Sequence, residues 1–257
     1  MKVRLQSSSI PRKRFEKPRR TRGKSAFPSS AEVLRELDRL ANPEVRAQMS
    51  YFGVRVQQAH GISTPVLHKF AKAINKNHGL ANELWASGIH EAKTLATLIG
   101  EPEKVTSSEM DRWATAFDSW DVVDAACCYL YAHTRFAWRK ASEWSGSPEL
   151  FIKRAGFSLV AYLAYKDRKA PDEKFGHFLR VIERESDDDR HFVKKAVNWA
   201  LRNIGKRNLR LNREAIRMAG KLRKRDSGSA RWIAADALRE LRSDAVQRRL
   251  REKKADR

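Results

Sequence analysis

From Ala31 onward apolar residues recur at intervals of three and four, as in Val33, Leu34, Leu37 and Leu40, the spacing that gathers side chains onto one face of a helix. The alternation expected of half-buried strands is nearly absent. Clusters of turn-forming residues interrupt the pattern at intervals of about ten to eighteen positions. They fall at Asn42-Pro43, Gly61 to Pro65, Asn77 to Gly79, Gly88, Gly100 to Pro102, Ser145 to Pro148, Lys169 to Pro171, Ser186 to Asp189, Gly205 to Asn208, and Asp226 to Ser229. About a dozen helices joined by short turns are predicted. The expected fold class is all-α, a right-handed α-solenoid of stacked antiparallel helix pairs of HEAT-like or armadillo type; a globular helical bundle is the alternative. One domain is expected over residues 31–257, its last ~15 residues forming a basic C-terminal extension.

Composition adds a core and a partner class. With 257 residues, 41% of them hydrophobic, the chain can bury a sizeable interior, which excludes wholesale disorder. Lys and Arg number 53 against 31 Asp and Glu, a formal net charge of +22, so polyanions lead the candidate partners. Nucleic acid comes first and an anionic membrane second. Residues 1–30 carry ten cations and one Glu, and residues 221–257 carry thirteen cations and six acids. The first segment lacks apolar periodicity and reads as a disordered basic tail: a phosphate-binding arm, a solubilising tail or an organelle transit peptide. The longest apolar run, Gly156 to Tyr165, is about half a membrane span, and no apolar run follows the N-terminal charges before Phe27, so neither insertion nor a secretory signal is expected. Cys127 and Cys128 are adjacent, which disfavours a disulfide framework and fits a reducing compartment, cytoplasmic and nucleoid-associated. Scattered histidines and the lack of paired metal-ligand motifs predict no metal site. No cofactor is expected.

Helical wheels pick out unusual positions. In the helix predicted from about Asp188 to Ile204, Val193, Val197, Ala200, Leu201 and Ile204 form the buried stripe. Trp199 falls opposite, among Lys195, Arg202 and Lys206. It is placed either to touch a sugar or base while the cations hold phosphates, or to be covered by a neighbouring helix. In a helix capped by Asp118 or Ser119 and running toward Thr134, the expected core stripe is Val122, Val123, Ala126, Tyr129 and Leu130. Trp120, Asp124 and Tyr131 then share the other face. Asp124 is a candidate catalytic acid or an ordinary surface acid. Arg154 lies in Glu149 to Tyr165, apolar nearly all round, so its guanidinium needs an anion: a ligand phosphate or an internal carboxylate.

Several segments, in order, resemble the DNA alkylation repair enzymes, the AlkD-type HEAT-like-repeat DNA glycosylases, from about Ala31 to about Ser243. They are Tyr51-Phe52-Gly53-Val54 with Gly61-Ile62-Ser63-Thr64-Pro65, Glu83-Leu84-Trp85, His90-Glu91-Ala92, Ser119-Trp120-Asp121-Val122-Val123-Asp124, Phe151-Ile152-Lys153-Arg154-Ala155, and Phe192 through Arg202. The resemblance implies that Asp124 is the catalytic carboxylate and that Trp120 and Trp199 line the deoxyribose of a lesion. It makes Arg154 an active-site arginine near the DNA backbone and Arg202 and Lys206 phosphate-contacting positions; Lys195, from the stripe around Trp199, and Tyr51 and Thr64, from the matched N-terminal segments, are further DNA-binding candidates. It further implies excision of cationic N3- and N7-alkylated purines from duplex DNA by a protein expected to act as a monomer, with the base left stacked rather than flipped.

The implied chemistry needs few groups. An alkylated purine is already cationic and leaves without a general acid, so one carboxylate suffices to stabilise the positive charge that develops on the sugar. Two other readings use the same charge: a non-catalytic HEAT-like protein that binds damaged or distorted DNA, and a solenoid that binds an acidic protein. Binding of blunt duplex DNA is expected to weaken steeply as salt rises, measured by fluorescence anisotropy; a salt-insensitive or absent interaction selects the acidic-protein reading.

Overall fold

The computed structural model describes residues 29–55 and 57–255, and the region read as a basic tail lies outside the described residues except for its last two. Ser29 caps α1 (Ser30–Arg39) through a reciprocal pair of bonds with Glu32. Asn42 accepts from Glu44 and Val45 N–H ahead of Pro43, the first residue of α2 (Pro43–Tyr51). Helices α3 (Thr64–Ile74), α4 (His78–Ala86), α5 (His90–Ile99), α6 (Ser107–Thr115) and α7 (Trp120–Ala125) follow. After α7 come α8 (Ala137–Ser145), α9 (Leu150–Lys166), α10 (Asp172–Glu185), α11 (His191–Gly205), α12 (Leu209–Leu222), α13 (Gly228–Leu241) and α14 (Asp244–Ala255). No strand occurs among the described residues. The stretch read as a C-terminal extension is thus largely helical, and α14 packs on α12 and α13.

Helices α3, α5, α7, α9, α11 and α13 pack side by side in sequence as one layer, backed by α4, α8, α10 and α12. This is the stacked-pair architecture expected from the spacing of apolar residues and turns. Helix α9 sits between α7, α8 and α11 and is buried almost all round, which explains why its sequence shows no polar face. Most predicted breaks coincide with observed turns. Asn77 to Gly79 is shifted: α3 ends at Ile74, and Asn77 is the cap of α4, its side chain accepting from Leu80 N–H.

Two glycines are required by close approach. Gly61 has φ +79°, and a Cβ there would lie 2.6 Å from Arg46 N. Its turn is clamped by Glu91, whose carboxylate accepts from the N–H groups of His60, Gly61 and Ile62 at 2.9, 2.7 and 3.2 Å. Gly156 faces the end of α8, and a Cβ would overlap Ser145 N and approach Trp144 C to 2.7 Å.

The helix expected to continue from Trp120 toward Thr134 does not remain α. At Ala126–Leu130 it widens into a π turn, then tightens into a 3₁₀ turn at Tyr131–His133. A π turn inserts a residue and rotates everything after it relative to an α-helical wheel. The wheel assignment is corrected accordingly: Tyr131 is fully buried between Trp113 and Trp144, with ring centroids 6.4 and 5.8 Å away, and does not share a face with Asp124. Tyr129 leaves the core stripe and meets His68 across a 3.2 Å hydrogen bond.

Replacing Gly156 by Ala is expected to destabilise the fold by about 1–3 kcal/mol through overpacking against α8, although Ala is the better helix former. Urea unfolding checks this, and an unchanged or raised midpoint would show that α8 and α9 separate freely.

Candidate active site

Asp124 lies in the last turn of α7, just before the π turn. Arg154 and Ser158, one turn apart on α9, both reach it. Arg154 Nη2 donates to Asp124 Oδ2 at 2.7 Å, and Ser158 Oγ donates to Oδ1 at 2.8 Å. The internal carboxylate considered for Arg154 is therefore Asp124 itself. Arg154 Nη1 also donates to the Phe192 carbonyl at 2.8 Å, tying α9 to the start of α11. Its Nε has no partner among the described residues.

Burial pushes the Asp124 carboxyl above the ordinary aspartate range, opposed but not overcome by the charge and hydrogen bond of Arg154 and the bond from Ser158. The Asp124 side chain retains 17% exposure against 7% for Arg154, so the pair is open to solvent chiefly on the carboxylate side.

Aromatic rings surround this pair. The Arg154 guanidinium lies 5.6 Å from the Trp120 ring centroid and 6.0 Å from that of Phe192. Trp120 is half-buried, and its indole N–H donates to the Phe52 carbonyl at 3.1 Å, which fixes it against the end of α2. Tyr51 and Phe52 there are 86% and 66% exposed, an uncovered aromatic pair beside Trp120. Thr64 is exposed at the first position of α3.

On α11, Trp199 is half-buried and meets Tyr162 edge to face at 4.9 Å. Tyr162 lies one turn beyond Ser158, so α9 links the two tryptophan environments through Arg154, Ser158 and Tyr162. Burial, with the neighbouring Cys128 and the Asp124 charge, raises the Tyr162 phenol far above its usual range. Trp199 thus combines the two alternatives, being partly covered by a neighbouring helix and partly open.

The basic positions divide. Lys195 is exposed without an ion pair to any described residue. Arg202 pairs with Glu240 at 2.5 Å and approaches Asp236 at 3.6 Å, while Lys206 pairs with Glu240 at 2.7 Å. The stripe around Trp199 is thus less free than the wheel alone indicates, because α13 supplies carboxylates to two of its three cations. Ser158 was missed by sequence reasoning, although its four-residue spacing from Arg154 places it on the same face. Phe192 and Tyr162 came to the site only through helix packing.

A buried network supports the start of α7. His90 Nε2 and Asp121 Oδ2 are 3.0 Å apart, and Ser119 Oγ donates to the other Asp121 oxygen. Burial alone would lower the His90 pKa, but the hydrogen bond and charge of Asp121, with Glu91 and Asp118, raise it overall. Ser119 occupies the cap position without capping through its side chain, and Asp118 is held by Lys93 at 2.9 Å. Among the described residues no group of three or more His, Cys, Asp or Glu is placed to hold a metal ion. No described helix is long and apolar enough to cross a membrane.

Comparison with known proteins gives these features a family. Residues 33–241 match the model of a family described as DNA alkylation repair enzyme. No curated protein matches the sequence significantly. Among solved structures the fold is similar to that of a protein from a new family related to the HEAT-like repeat DNA glycosylases with affinity for branched DNA structures. The TM-score is 0.70 at 22% identity, over 83% of this chain and 95% of that one. The match extends from α1 into α13 and includes every helix that builds the Asp124 site, and the protein belongs to the DNA alkylation repair enzyme family.

Proposed function

We propose that the protein is a DNA glycosylase that excises cationic N3- and N7-alkylated purines from duplex DNA. The observation that carries this reading is the Asp124 carboxylate, held from behind by Arg154 and Ser158, opening beside the Trp120 ring. As the N-glycosidic bond lengthens, the sugar acquires positive charge. An ionised Asp124 stabilises that charge and orients the attacking water, and the faces of Trp120 and Trp199 favour the same cation. Because the leaving base is already cationic, no second acid is required.

Arg154 has a further part in this reading. Its Nε–H is unpartnered but buried, so a phosphate oxygen reaches it only by drawing the guanidinium outward, which weakens its hold on Asp124. The carboxylate then faces the substrate with less of its charge neutralised. Lys195, Thr64 and Tyr51 supply exposed positions for the duplex backbone, and Arg202 and Lys206 contribute by exchanging Glu240 for phosphate.

A second reading is favoured by the same ion pair. Both Asp124 oxygens are already engaged, as in a structural salt bridge, and a non-catalytic protein that binds distorted or branched DNA needs no free carboxylate. Base release separates the two.

Intact protein is expected to release 7-methylguanine or 3-methyladenine from alkylated duplex DNA. Asp124→Asn, whose amide oxygen can still accept from Arg154, is expected to lose about 10²–10³-fold in rate with its thermal midpoint checked in parallel. Duplex binding without release of either base overturns the glycosylase reading.

Release should also fall as pH drops through the raised Asp124 pKa, because protonation removes the negative charge. In Arg154→Ala the acid limb should move to still higher pH, since the lost guanidinium was lowering that pKa. A profile that moves to lower pH, or does not move, contradicts the assigned role of the pair.

A further inference from the structure

Away from Asp124, an open cleft of about 770 Å³ lies where the C-terminal ends of α9 and α11 meet the start of α12 and helix α14. Its lining includes six cations and one carboxylate, Asp172. Three of the cations are already occupied. Lys206 pairs with Glu240, Arg210 with Glu173 and Glu214, and Arg207 donates to the carbonyls of Ala164, Arg168 and Ala170 while lying over the Phe175 ring. The other three, Arg168, Arg213 and Arg249, are exposed and form no ion pair with any described residue. Tyr165, at the end of α9, adds an aromatic ring that is 66% exposed at the cleft wall.

The helices that carry the candidate active site lead directly into this cleft. Tyr165 follows Arg154 by eleven residues, three turns of α9, and so sits about 16 Å farther along nearly the same face. Lys206 follows Trp199 by seven residues, two turns of α11, about 10 Å along its stripe. A strand leaving the Asp124 region along these faces therefore meets Tyr165 and the free arginines within a few nucleotides.

Size and chemistry select the occupant. The volume is that of a pocket for a small ligand, roughly 300–1,000 Å³, which gives room for a single base and its phosphates. Unpaired nucleic acid is held by a cationic groove for the phosphates and an aromatic face for a base, and both are present. An acidic polypeptide would match the charge but gives no reason for the exposed ring.

We propose that this cleft is a second nucleic-acid subsite that holds an unpaired DNA strand running off the duplex, with a base stacked on Tyr165 and phosphates on Arg168, Arg213 and Arg249. It rests on the reading of the Asp124 face as the duplex-binding face, and not on catalysis there.

The test compares a blunt duplex with the same duplex carrying a mixed-sequence single-stranded extension, by fluorescence anisotropy at fixed salt with the full chain. The intact protein should bind the extended duplex about fivefold or more tightly. Tyr165→Ala and the double variant Arg213→Ala, Arg249→Ala should each remove most of that preference while leaving the blunt-duplex Kd within about twofold. Tyr165→Phe should retain it.

No preference in the intact protein, a preference that survives both variants, or equal weakening of blunt and extended duplexes overturns the proposal. Loss of preference in the arginine variant alone, with Tyr165→Ala silent, also overturns it, because a purely electrostatic surface is then sufficient. Base release on the same duplexes keeps the two readings apart. A protein that releases no base yet shows the Tyr165-dependent preference supports the subsite and refutes the glycosylase.

Discussion

Burying the Asp124 carboxylate against Arg154 is the constraint around which the centre of this molecule is arranged. Two charges withdrawn from water lose hydration worth several kcal/mol each, and that loss is offset by good pair geometry and by further hydrogen bonds to the remaining polar atoms, here all but the Arg154 Nε. Asp124 uses Ser158 for its second oxygen, and Arg154 uses the Phe192 carbonyl. These two bonds fix the spacing of α7, α9 and α11. The same arrangement leaves the carboxylate more exposed than the guanidinium, and so determines which of the two charges a ligand meets first.

The rest of the layer repeats this principle with different residues. Glu91 on α5 gathers the turn before α3, Asp121 and His90 join α7 to α5, and Lys153 on α9 is held by Glu185 and Asp188 from the end of α10 and the turn that follows. Farther along, Glu240 on α13 receives Arg202 and Lys206 from α11. In a solenoid the apolar core is continuous but each helix pair contacts only its neighbours, so each junction needs its own specification, and buried or half-buried carboxylates provide it. This bears on the charge as well. Each acid in these junctions neutralises a cation of its own, so the described arginines and lysines left without a carboxylate, Lys195, Arg168, Arg213 and Arg249 among them, are the ones that present charge to a polyanion.

The π turn at Ala126–Leu130 has a similar economy. It begins one residue after α7 ends and lets Asp124 remain on the open face while Tyr131 turns inward to fill the space between Trp113 and Trp144. A continuous α-helix would send both to the same side. The irregular turn therefore allows one short stretch of chain to serve the site and the core together, which fits the tendency of π turns to occur near functional positions.

The all-helical class, the pairing of helices, the central place of α9 and the prominence of Trp120, Asp124, Arg154 and Trp199 were legible in the sequence alone, because they follow from local periodicity and from residue types set where a helix face is otherwise apolar or otherwise charged. Partnership was not legible. Nothing in the spacing of Asp124 and Arg154 says that they meet, since their thirty-residue separation is closed only by the stacking of α7 on α9. The outward stripe of α11 looked uniformly free until α13 brought Glu240 against it, and Tyr129 and Tyr131 exchanged places because a π turn changes the helical phase without an evident mark in composition. Local physics sets which face of each helix is unusual. Which charges on those faces are neutralised, and which remain for a ligand, was decided only when the layers came together.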